Sequence, residues 1–212
     1  MAKRRAEEDM ATWAERAQDA IAAGNWRQAE AGLRRMIAGL PPQASLHYNL
    51  GLVLKQQDKL EAARESFDSA LELDPKHAKA RFEAAAARMD LGALPEAYDG
   101  FAVYLTTVPD DADALLNAAR LALRLGRLPE AAQHAARLET LAPQDPVVTL
   151  LLAELAAERG ELEAAKRGFA AVLRNGPPEL RAAALSAMTQ RPRGGFPLSV
   201  RRLGEPGDQP ER

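Results

Sequence analysis

ASLHYNLGLVLKQQDKLEAARESFDSALELDPKH, residues 44–77, is two amphipathic segments on either side of Gln57-Asp58-Lys59. Within it Leu50, Gly51, Ala63, Phe67, Ala70 and Pro75 hold spacings that recur along the chain. Pro41, Pro75, Pro109, Pro143 and Pro177 lie 34 residues apart, and Ala29, Ala63, Ala97, Ala131 and Ala165 keep the same register. A period of that length marks a tandem array whose units cannot bury their apolar faces alone and pack on their neighbours.

Counted in that period, the units run 10–43, 44–77, 78–111, 112–145 and 146–179, after a charged lead-in at 1–9. Each reads as a helix, a short turn and a second helix. The turn carries Gly24, Asp58, Gly92, Gly126 and Gly160 at one position, where a helix C-terminus uses the left-handed conformation that glycine, and less often Asp, tolerates. Two residues later Trp26, Leu60, Leu94, Leu128 and Leu162 open the second helix, with Pro95 and Pro129 suited to its first turn. The repeating proline then ends it, because it disfavours helix at the residue before it and lacks the N–H a helix needs. Asp110-Asp111 and Asp145 supply carboxylates for the start of the next unit.

With position 1 set at Met10, Ala44, Ala78, Ala112 and Pro146, helical geometry gathers positions 4, 7, 8 and 11 of each first helix on one face. Positions 2, 5, 6, 9, 12 and 13 fall opposite. The first set is the seam. Its position 8 holds only Ala17, Gly51, Ala85, Ala119 and Ala153, so the paired helices approach closely, and position 24, with Leu33, Phe67, Phe101, Ala135 and Phe169, is expected to fill the space between units. The fourth unit is thinnest there, with Leu138 as its compensation. Residues 180–190 then form a helix with no second helix behind it, a cap, and the Gly-, Pro- and Arg-rich stretch 191–212 reads as a disordered tail.

Composition bounds the chemistry. The chain has 212 residues and no cysteine, which removes disulfides, thiolate metal sites and a cysteine nucleophile. Its formal net charge of −2 argues against a dedicated nucleic-acid binder. Lys3-Arg4-Arg5 runs straight into Glu7-Glu8-Asp9 with no apolar stretch behind it, so the expected location is the cytoplasm. The three histidines, His47, His77 and His134, show no metal-ligand or triad spacing, and no cofactor or metal is expected. Abundant Ala and Arg suggest a GC-rich bacterial genome.

The period, the helix-turn-helix unit and the position pattern resemble the tetratricopeptide repeat (TPR) family over residues 10–179. Trp13, Ala17, Ala20, Gly24, Ala29 and Pro41 match its pattern in the first unit, as Leu50, Gly51, Ala63, Phe67, Ala70 and Pro75 do in the second. His47, Leu54 and Asp58 depart from the family's usual Trp, Tyr and Gly. The resemblance implies an all-α, right-handed α-solenoid of antiparallel helix pairs. It also implies a non-catalytic adaptor or scaffold that holds a peptide or protein segment in a concave groove lined by first helices.

The angular count places Tyr48, Asn49, Leu52, Lys55, Phe82, Glu83, Met89, Leu116, Asn117, Arg120, Arg124, Leu150 and Glu154 in that groove. Asn49 and Asn117 suit backbone recognition because an amide both donates and accepts, and Arg120 with Arg124 suits a carboxylate. The carboxylate clamp of chaperone-binding members is not met: Ala11 and Glu15 stand where it requires Lys and Asn, and Glu83 where it requires Arg. No catalytic domain is expected beyond residue 190. The competing expectation is a structural module that forms homo-oligomers and leaves its groove idle. Because position 24 is expected to fill the space between units, Phe67→Ala is expected to lower the free energy of unfolding by about 3 to 5 kcal/mol, measured by urea denaturation.

Overall fold

A computed structural model of the chain describes the backbone of residues 2–189 and the side chains of residues 12–189. The stretch read as a disordered tail, 191–212, lies outside the described residues, as does Gln190. Within them the elements are α1 Ala2–Ala22, α2 Trp26–Gly39, α3 Ala44–Lys55, α4 Leu60–Leu73, α5 Ala78–Asp90, α6 Leu94–Thr107, α7 Ala112–Arg124, α8 Leu128–Leu141, α9 Pro146–Glu158, α10 Leu162–Asn175 and α11 Pro178–Thr189. No strand occurs among the described residues, and the architecture is an all-α solenoid of helix pairs. One difference from the sequence reading is at the start. Helix α1 begins at Ala2, so residues 2–9 of the charged segment are continuous with the first helix.

The chain divides into two compact units, residues 1–143 with α1 to α8, and residues 144–212 with α9 to α11. In the first unit every helix packs on the one that follows it, so a second helix is held between the first helix of its own repeat and that of the next. In the second, α10 packs on both α9 and α11, and α11 also touches α9.

The turn reading holds at all five places. Gly24, Gly92, Gly126 and Gly160 have φ of 69°, 79°, 71° and 78°, and Asp58 adopts the same left-handed conformation at 60°. At each turn the residue after it donates its N–H back to the carbonyl five residues earlier, as Lys59 does to Leu54 at 3.0 Å and Arg127 to Ala122 at 2.8 Å. That bond satisfies an orphan carbonyl at the helix end. Every second helix stops two residues before its proline. Asp111 and Asp145 cap α7 and α9 as expected, accepting from the N–H groups of Ala114 and Val147. His77 caps α5 in the same manner through Nδ1, which accepts from the N–H of Ala80 at 3.2 Å and is therefore the unprotonated ring nitrogen there.

The seam is tighter than position 8 alone predicts. A Cβ added to Gly32, Gly100 or Gly168 would stand 3.0, 2.8 or 2.7 Å from the Cβ of Ala17, Ala85 or Ala153, so glycine at position 23 meets alanine at position 8 in three repeats. The second repeat inverts the arrangement. Gly51 takes position 8, and the Phe67 ring lies where its Cβ would be, 2.4 Å away. Phe67, Phe101 and Phe169 are fully buried, Phe67 in a cluster that also takes in Leu33 of the first repeat and Ala84 and Ala87 of the third, and in the fourth repeat Ala135 and Leu138 are both buried. Gly51→Ala is expected to lower the free energy of unfolding by about 1 to 3 kcal/mol through overpacking, with part of the loss recovered by adding Phe67→Leu. Urea denaturation checks this, and strictly additive losses would show that the ring does not occupy that space.

Candidate functional site

The face opposite the seam carries the expected site residues, and the first unit places most of them where a ligand can touch them. On α3, Tyr48, Asn49, Leu52 and Lys55 are half-buried, and on α5 so are Phe82, Glu83 and Met89. On α7, Leu116 and Asn117 are half-buried while Arg120 and Arg124 are exposed. In the second unit Glu154 is half-buried, but Leu150 is only 3% exposed and belongs to a buried cluster with Ala153, Phe169 and Ala184. Leu150 is therefore core and not groove. The angular count fails there because α9 is apolar around most of its circumference, with Leu150 and Leu151 both buried, and such a helix has no solvent stripe at its centre.

The aromatic members have structural partners. Tyr48 packs on Phe67 and on the capping His77, with ring centroids 6.0 and 4.9 Å apart. Phe82 sets its ring edge against Phe101 and Tyr104 at 5.3 and 5.4 Å. The Tyr104 hydroxyl in turn donates to the Asp111 carboxylate at 2.8 Å, whose other oxygen caps α7. Burial first, then this carboxylate, pushes the Tyr104 phenol up to about 12. The apolar anchor Phe82 is thus tied through Tyr104 to the start of α7.

Charge on this face is unevenly committed. Lys55 on α3 donates to Glu83 on α5 at 2.7 Å, so the two neutralise each other between adjacent first helices. Glu83 also adds to burial in raising the Tyr48 phenol above its ordinary value. Arg120 and Arg124 take part in no hydrogen bond or ion pair among the described residues, and the same is true of the Asn49 and Asn117 amides. No group of three or more His, Cys, Asp or Glu among the described residues is placed to hold a metal ion, and no described helix is long and apolar enough to cross a membrane.

Two features escaped the sequence reading. Grooves of about 360 and 530 Å³ lie on the other side of the first unit, between α2 and α4 and between α6 and α8. Position 4, His47 in one and Leu115 in the other, lines both, so the signal was present in the register but looked like seam. At the turns, Glu30 of α2 accepts from Lys59 at 2.8 Å, Gln57 at 2.9 Å and Arg34 at 3.0 Å, joining the first two repeats. That reach across 27 to 29 residues has no short-range signature.

Residues 44–77 and 97–146 each match a family model described as tetratricopeptide repeat. The chain carries tetratricopeptide repeats. Comparison with curated proteins gave no match. Among solved structures, this TPR chain is similar to a tetratricopeptide repeat protein from Parabacteroides merdae, with a TM-score of 0.76 at 23% identity over 85% of this chain and 74% of that one. YrrB, described as a TPR protein with an unusual peptide-binding site, gives 0.73 at 15% identity over 80% and 88%. MamA from Desulfovibrio magneticus gives 0.71 at 17% over 82% and 96%. At these identities the likeness is one of fold.

The Lys59 ammonium, followed by Gln57 and Arg34, holds the Glu30 carboxyl down to about 2 against its ordinary 4.5. A depressed carboxylate contributes stability that is fully present above about 4.5 and is lost as pH falls through about 2. Lys59→Ala is therefore expected to be less stable than the parent by a constant gap above that window, closing as the pH approaches 2. Urea denaturation across the range checks it, and a gap independent of pH would contradict it.

Proposed function

We propose that this TPR protein is a non-catalytic adaptor that holds a segment of a partner protein along the first-helix face of its first unit, across α3, α5 and α7. The carrying observation is the combination on that face of half-buried apolar groups, Leu52, Phe82, Met89 and Leu116, with the uncommitted amides of Asn49 and Asn117. Apolar side chains give an extended segment its affinity, and an amide that donates and accepts at once pairs with a peptide backbone. The peptide-binding site named for YrrB supports the reading by analogy of fold. Leu150 is excluded from the site, and Tyr48 and Phe82 serve as walls whose far sides are already packed.

The competing reading, a self-associating module with an idle groove, places its contacts elsewhere. Exposed Ile21 on α1, Leu73 at the end of α4, Val103 on α6 and Leu141 at the end of α8 are the large apolar groups that would serve it in the first unit. Affinity capture from the native host with two variants separates the readings: Asn117→Ala with Leu116→Glu on the first-helix face, and Ser69→Glu with Thr106→Glu in the grooves on the other side. The first is expected to lose the captured partner by at least about tenfold and the second to keep it. Loss with the second variant and not the first, together with a concentration-dependent mass by light scattering, would favour the alternative.

A further inference from the structure

The first-helix face does not present charge evenly, and that unevenness names the chemistry of what it holds. On α3 and α5 the central cation and anion, Lys55 and Glu83, are spent on each other at 2.7 Å. On α7 the equivalent stripe carries Asn117, Arg120 and Arg124, with both guanidinium groups exposed and without a partner among the described residues. Leu116 and Leu123 lie half-buried beside them. Asp113, exposed in the first turn of the same helix, sets the other end of the stripe negative.

The spacing is informative. Residues four apart on an α-helix are displaced by about 6 Å along its axis, and side chains on one face of an extended chain recur every about 6.7 Å, at alternate residues. Where the segment held across α3 and α5 reaches α7 and turns to run parallel to it, its residues i and i+2 meet Arg120 and Arg124 in turn, with the intervening side chain turned away. The Asn117 amide, three residues before Arg120, lies about 4.5 Å further along, within reach of the same peptide's backbone. A guanidinium grips a carboxylate through two parallel N–H bonds, so two carboxylates at alternate positions satisfy both arginines at once, whereas adjacent ones point to opposite sides of the peptide and satisfy one. Asp113, about 10 Å before Arg120, repels a third acid and limits the run.

We propose that the α7 stripe reads an extended segment bearing side-chain carboxylates at alternate positions, acid-x-acid, through Arg120 and Arg124, with Asn117 on its backbone. This rests on the adaptor reading of the same face and specifies the partner's chemistry. Lys55 and Glu83 neutralise each other between α3 and α5, which leaves the guanidinium pair of α7 to read the acids.

The test uses the full chain and fluorescein-labelled peptides with blocked ends, so that a terminal carboxylate cannot stand in for the side chains. Ser-Glu-Val-Glu-Ser, Ser-Glu-Glu-Val-Ser and Ser-Lys-Val-Lys-Ser are titrated by anisotropy into the millimolar range. The alternating peptide is expected to bind several-fold more tightly than the adjacent one and at least about tenfold more tightly than the lysine one, and its affinity is expected to fall with added salt. Arg120→Glu with Arg124→Glu should abolish the preference, and Arg120→Lys with Arg124→Lys, which keeps the charge but loses the paired N–H geometry, should flatten the difference between alternating and adjacent acids. Circular dichroism confirms that each variant is folded. Equal binding of the alternating and lysine peptides, or a preference that survives charge reversal, would overturn the proposal. If a captured partner still depends on Leu116 and Asn117 while charge reversal leaves it bound, the acid-x-acid rule fails and the adaptor reading stands; if neither pair matters, both fail.

Discussion

The close approach of two helices at position 8 is the constraint on which the rest of the molecule depends. Ala85 and Gly100, Ala153 and Gly168, Ala17 and Gly32 leave no room for one further carbon between them, and in the second repeat the Phe67 ring takes that room over Gly51. Helices held that closely bury most of their seam faces. On α3, α5 and α7 the opposite face is then left to water, and it is where uncommitted polar groups collect. Scaffold and candidate site are thus two sides of the same helix, separated by half a turn.

The aromatic groups on the site face are packed against neighbours on their inner sides. Tyr48 is wedged by Phe67 and His77, and Phe82 by Phe101 and Tyr104, so each presents one edge outward from a fixed position. The hydrogen bond from Tyr104 to Asp111 couples the same cluster to the cap of α7. A surface fixed in this way binds a segment without first having to order itself, which reduces the entropic cost of association.

Much of the fold was legible because it is repeated. A left-handed turn residue is weak evidence once and strong evidence five times in phase, and Asp58 could be read as a glycine substitute only because Gly24, Gly92, Gly126 and Gly160 framed it. What lacked repetition was missed. Glycine at position 23 occurs in three repeats and is replaced by Ser66 and His134 in the others, so its packing role was hidden until the Cβ distances showed it. The cap that His77 supplies to α5 rests on one hydrogen bond to Ala80, and no other repeat has histidine at that position. The site was legible in register but not in burial: angular position assigned Leu150 and Leu116 alike, while their surroundings made the first core and left the second half-open. The Lys55–Glu83 pair, spanning 28 residues, needed the fold before it could be seen.

The central claim is that the partner meets the first helices on the side away from the seam. The absence of cysteine from the chain permits a direct measurement, since a single cysteine introduced at Gln56 or Asp90 on that face, or at Ser69 or Thr106 in the grooves on the other, is the only thiol of this chain. With the captured partner bound at saturation, maleimide labelling should slow at positions 56 and 90 and stay unchanged at 69 and 106. Protection at 69 or 106 with free reaction at 56 and 90 would contradict the account.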